Sequence, residues 1–183
     1  MIFSLFRKNN PERDAAFRQY DLLTEAGRRP DFFLQGNAPD TVIGRFEVIS
    51  LLMILYFRRT AEIGGKAKDI AQYVADAFFE DLDHSIRELG VGDHGVPKRL
   101  KKLAQMFYGR LDSYGSALDA GDAEALEAAL KRNLHPESTD PALSMRWLAE
   151  YMIAAERDLK AASAETVLRG ETPVPAVAAG DPK

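Results

Sequence analysis

The chain has 183 residues and no cysteine, which excludes disulfide staples, thiolate metal sites and cysteine-based catalysis. At roughly 150 residues to a domain, one compact unit with a modest appendage is expected, and 46% hydrophobic with 28% charged residues suits a self-supporting core. The formal charge of -4 leaves no global basic excess, so specific DNA binding is not expected and any anion-binding surface must be local.

Residues 1–8 place Phe3 and Phe6 beside Arg7 and Lys8, in the reverse order of a secretory signal. Segment 1–9 is therefore expected to dock loosely on the domain or to touch an anionic membrane surface weakly. A first helix opens at Asn10 with Pro11 in its first turn and runs to 26, where Gly27 and Pro30 stop it. An irregular link over 31–39 carries Phe32, Phe33 and Leu34, all three expected against the core. Asp40 reads as the N-cap of a second helix over 41–60; nine of the ten residues in 48–57 are apolar, too short a run to span a bilayer and suited to the centre of a bundle.

Gly64 and Gly65 break the chain before a third helix, whose apolar stripe runs from Ala67 to Leu89 at spacings of three and four. After the glycine-rich turn 90–95, Pro97 opens a fourth helix with the stripe Leu100, Leu103, Phe107, Leu111, Tyr114 and Leu118. A fifth helix follows over 122–134 and a sixth over 142–168. No window alternates as a strand would, so the fold class is all-α: a single bundle of about six helices over 10–168. The remainder, 169–183, is expected to be a disordered tail contributing nothing to melting.

Lys98, Arg99, Lys101 and Lys102 crowd the start of the fourth helix, where the positive end of the helix dipole disfavours cations. Segment 97–110 holds five cations, Arg110 included, and no acid, with Tyr108 at the flank of the basic face. Two readings stay open at this level: a solvated face offset by the acids of 76–88, or a surface that docks an anion or a partner. Asp81 and His84 stand at i and i+3, half of a carboxylate-bridged metal motif, but no second copy exists, so neither a metal nor a cofactor is expected. There is no P-loop, dinucleotide fingerprint or nucleophile elbow, and no catalytic residue is assigned.

The segment Phe79-Glu-Asp-Leu-Asp-His-Ser-Ile-Arg-Glu-Leu-Gly-Val-Gly-Asp93, followed by Val96-Pro-Lys-Arg-Leu-Lys-Lys-Leu-Ala-Gln-Met-Phe-Tyr-Gly-Arg110, closely resembles the signature of the ubiquinol-cytochrome c chaperone family. Asp40-Thr-Val-Ile-Gly-Arg-Phe46 resembles that family's other recurrent block. The resemblance implies an all-helical, non-enzymatic assembly factor for cytochrome b of the ubiquinol:cytochrome c reductase. Its eukaryotic members work in mitochondria with a small partner protein, at the ribosomal exit and on newly made cytochrome b.

With no transit peptide before the domain, the resemblance points to a bacterial-type member in the cytoplasm or at the inner face of the inner membrane. The expected partners are newly synthesised cytochrome b and the ribosome. The expected docking residues are Lys98, Arg99, Lys101, Lys102, Tyr108 and Arg110 on the basic helix, with Asp93, Asp40 and Arg45 from the flanking blocks. The competing function is a helical ribosome- or nucleic-acid-binding module acting through 97–110.

Overall fold

A stretch of helix that is apolar on every side must be surrounded, and residues 48–57 of α3 (Val42–Ile63), apolar but for Ser50, are such a stretch. Val48 and every residue from Leu51 to Tyr56 are at most 1% exposed. A computed structural model describes residues 10–176, all helix, turn or irregular chain, with no strand among them. The other helices are α1 (Pro11–Ala26), α2 (Asp31–Leu34), α4 (Lys66–Glu88), α5 (Val96–Ala120), α6 (Ala123–Leu134), α7 (Arg146–Ala161) and α8 (Ala164–Leu168). Helices α1, α4, α5, α6 and α7 all pack on α3, and α1 also runs along α4 while α6 lies between α5 and α7.

The expected all-α bundle is present, with differences that have local causes. The second helix is capped by Thr41, not Asp40: the Thr41 hydroxyl accepts from the Gly44 N–H at 3.1 Å, which leaves the Asp40 carboxylate to pair with Arg45 at 2.8 Å. The link 31–39 contains the short helix α2, where Phe32 is fully buried and Phe33 partly so, but Leu34 is 78% exposed, against expectation. The expected helix over 142–168 begins only at Arg146, because Lys131 donates to the carbonyls of Asp140 and Leu143 while the Glu127 carboxylate accepts from Ser144 and Met145. It is also interrupted: Ala162 is extended, and the Ser163 hydroxyl caps α8 by accepting from the Thr166 N–H.

Two aromatic groups fill the bundle. Phe46 stacks on Phe78 at 5.9 Å, and Phe78 in turn meets Phe107, joining α3, α4 and α5. At the other end Phe32 meets Tyr151 edge-on, and Tyr151 stacks on Trp147.

The expectation of a disordered tail over 169–183 is corrected for its described part, residues 169–176. The buried Gln19 amide donates to the Thr172 carbonyl at 3.1 Å and accepts from the Thr172 N–H at 2.9 Å, reading an extended backbone with both of its atoms. Arg18 donates to the Arg169 carbonyl, Arg29 to those of Val174 and Pro175, and the Tyr151 hydroxyl to that of Pro175. Proline and backbone satisfaction, not apolar mass, hold this strap, which is why composition conceals it. Gly170 makes the crossing of α1 possible: its φ is +67°, and a Cβ there would lie 1.8 Å from the Ala15 carbonyl oxygen. Residues 1–9, with the expected docking or membrane contact, and 177–183 lie outside the described residues.

A buried ion pair ties α3 to α5. Arg110 donates from Nε and Nη2 to the two Glu47 carboxylate oxygens at 2.7 and 2.6 Å, and from Nη1 to the Met106 carbonyl. Burial pushes the Glu47 carboxyl above its ordinary range and Arg110 pulls it back. Because one charge stripped of its partner stays buried, Glu47→Ala or Arg110→Ala is expected to cost about 3–5 kcal/mol, read from the urea midpoint. The double variant Glu47→Leu with Arg110→Met is expected to recover much of that loss, and a double variant no better than either single would contradict this account.

Deleting 171–183 orphans the Gln19 amide, so melting is expected to fall by the equivalent of about 1–3 kcal/mol. Gly170→Ala is expected to lower it as well. A truncated chain that melts like the full one would show the strap to be energetically idle.

Candidate functional site

Where the cover around α3 runs out, its first turns border an open groove. Val42, Ile43 and Phe46 line it from α3, Phe78, Leu82 and Ile86 from α4, and Leu89 from just past the end of α4. Tyr20 and Thr24 of α1, Arg28 just after α1, and Leu103 of α5 complete the lining named here. The groove encloses about 320 Å³ and its lining is predominantly apolar. Val42, Ile43 and Leu89 are 61, 50 and 59% exposed, so branched aliphatic surface lines one depression open to solvent.

Local sequence explains the shape. Gly44 has the Pro39 carbonyl where a Cβ would stand, at 1.8 Å, so the chain entering α3 folds tightly against the helix's first turn and turns Val42 and Ile43 outward. The apolar stripe of α4 continues to Leu89, just past the helix end, which is exposed, while Ile86 three residues earlier is buried. The Tyr20 hydroxyl donates to Asp81 at 2.8 Å across the α1–α4 seam; burial, then the carboxylate, raise the phenol far above its usual range.

The residues expected to dock a partner separate into two groups. Lys98, Arg99, Lys101 and Lys102 are all exposed on the first turns of α5, immediately before the groove residue Leu103, and none makes an ion pair or side-chain hydrogen bond among the described residues. The nearby acids make their bonds elsewhere: Asp83 of α4 and Asp93 of the following turn both pair with Arg87 at 2.6 Å, Asp81 accepts from Tyr20, and Glu88 lies 3.2 Å from His84. Tyr108 is 61% exposed, edge-on to Phe107. Asp40 and Arg45 hold each other at the groove's rim, and the Arg45 guanidinium also lies over Phe33.

Arg110 is corrected: it belongs to no surface, being buried against Glu47. A cation sharing the α5 stripe with Phe107 and Tyr114 carries the signal for this, since it falls on the inward face at the helical period. The sequence reading also passed over Val42, Ile43 and Leu89, which stand inside the quoted blocks at helix ends. His84 and His94 are exposed, His135 reaches the Asn37 carbonyl, and no cluster of three or more metal-ligating acids and histidines occurs among the described residues.

Three sequence blocks supply most of the groove's lining: 40–46, 79–93 and, through Leu103, 96–110. Comparison with known proteins gives those blocks a lineage. The model of the family described as ubiquinol-cytochrome C chaperone matches residues 35–174. The chain is similar to the ubiquinol-cytochrome-c reductase complex assembly factor 1 of Xenopus laevis, at 25% identity over 138 residues, 75% of this chain and 68% of that protein. It is similar to the Mus musculus factor of that name at 24% identity over 154 residues, 84% of this chain and 52% of the relative, so it spans about half of the mouse protein. A crystal structure of the Cbp3 homolog from Brucella abortus superposes with a TM-score of 0.82 at 42% identity, covering 97% of this chain and 98% of the other. A match across most of the helical domain, shared fold included, places the chain in the ubiquinol-cytochrome C chaperone family.

Proposed function

We propose that this chain assists biogenesis of the ubiquinol:cytochrome c reductase by holding newly made cytochrome b, through binding and not catalysis. One observation carries the reading: the blocks that mark the family converge on a single open groove that exposes Val42, Ile43 and Leu89 beside unpaired cations. An apolar groove with a charged border suits reversible capture of a segment that would otherwise aggregate. No described helix is long and apolar enough to cross a membrane, so a membrane-bound client would be met from the bilayer surface or before insertion. We place that encounter in the bacterial cytoplasm or at the inner face of the inner membrane.

The cations of α5 favour a second partner. Lys98, Arg99, Lys101 and Lys102 are free of acids, and a phosphate-bearing surface such as the ribosome that delivers the client would engage them. Binding dominated by phosphates weakens steeply with salt, whereas the apolar part of a client dock does not.

A photocrosslinker in place of Ile43 is expected to capture cytochrome b in cells, and Ile43→Asp to lower cytochrome b accumulation. Reversing Lys98, Lys101 and Lys102 to Glu places acids at the positive end of the α5 dipole, so melting should hold or rise slightly. The same triple variant is expected to reduce crosslinks and cytochrome b levels markedly. Normal crosslinks and normal cytochrome b in a folded triple variant would reduce the basic face to a solvated surface; absence of cytochrome b among the Ile43 crosslinks would overturn the client.

A further inference from the structure

Building on the reading of the groove as the client site, we infer that its occupant is an apolar polypeptide segment with carboxylates along one edge, seated with that edge against α5. The charges around the groove are unevenly compensated. On the α3 side Arg45 is neutralised by Asp40 at 2.8 Å, and on the α4 side Arg87 is shared by Asp83 and Asp93 at 2.6 Å each. Asp81, the one acid in the lining, already accepts from Tyr20. Helix ends of both signs meet here, the starts of α3 and α5 and the finishes of α1 and α4, so their dipoles offset one another and side chains set the local field.

The cations without an ion-pair partner among the described residues are Arg28, just after α1, and Lys98, Arg99, Lys101 and Lys102 on α5 before the groove residue Leu103, so the α5 side is positive while the α4 side keeps negative charge from Asp81 and from the second carboxylate on Arg87. Arg99 stands one helical turn before Leu103 on the same face, which brings guanidinium charge to the groove's border. A wholly apolar occupant would take water from these cations without replacing it, and one with a basic edge would be repelled. A segment whose apolar face covers Val42, Ile43 and Leu89 while its carboxylates meet α5 satisfies both halves of the surface. The chain as a whole is acidic at -4, so this local reversal of sign also selects the orientation in which a client approaches.

The test uses the full chain and two synthetic peptides that share one apolar face, one with Glu and the other with Lys along the same edge, followed by fluorescence anisotropy. The Glu-edged peptide is expected to bind at least about tenfold more tightly at low salt, with the advantage shrinking as salt rises. Reversing Lys98, Arg99 and Lys102 to Glu is expected to invert the preference. Ile43→Asp and Leu89→Asp, each at an exposed position and checked for unchanged melting, are expected to abolish binding of both peptides. Equal affinity for the two peptides would overturn the inference, as would binding indifferent to both Asp variants. Displacement of the Glu-edged peptide by phosphatidylglycerol vesicles through the same residues would also overturn it, making a lipid surface the occupant. Loss of the peptide preference with Ile43 crosslinks to cytochrome b intact would remove this inference alone, whereas a preserved preference without those crosslinks would remove the client reading alone.

Discussion

A stretch of helix with no polar face can be hidden only by neighbours on every side, and in this chain that demand organises the molecule. Five helices supply the cover for α3. It is complete at Val48 and from Leu51 through Tyr56, partial at Ile49, and fails at the first turn, where Val42 and Ile43 meet solvent. The groove is therefore a product of packing: apolar residues at the start of α3 and just past the end of α4 are left partly uncovered.

Beneath that groove the signature blocks do structural work of a different kind. Glu47 follows the block 40–46 by one residue and Arg110 closes the block 96–110, so their bond fixes the angle between the two helices that flank the groove. Arg58 performs a similar service at the far end, holding Glu156 on α7 at 2.6 Å and Asp119 on α5 at 2.5 Å. Buried charges such as Glu47 gain little net stability over an apolar pair of equal volume, but an alternative packing of α5 would leave them unpaired. Their contribution is to the uniqueness of the arrangement that positions Leu103 and the cations before it.

Much of this was legible in the residues. The stripes of α4 and α5 at spacings of three and four, Pro11 at the start of α1 and Asp122 at the cap of α6 announce their helices directly, because periodicity and capping are local. The break at Ala162 and Ser163 is local too, but an alanine-rich window masks it. The tail was not legible, since Thr172 is buried through bonds to a glutamine 153 residues away, a relation no window contains. At the site, the exposed cations of α5 could be read from a helical wheel. The inward turn of Arg110 needed knowledge that Glu47 faces it, and the openness of the groove needed the packing of the helices around it.

The strap that crosses α1 closes the structure in time as well as in space. Gln19 lies on α1, and the Thr172 backbone that satisfies it is made 153 residues later. Contacts of such sequence separation form late, because the long intervening loop must be ordered before they contribute. Until residue 172 has been made, α1 thus carries a polar amide on a face destined for burial, and its contact with the strap should form late in folding.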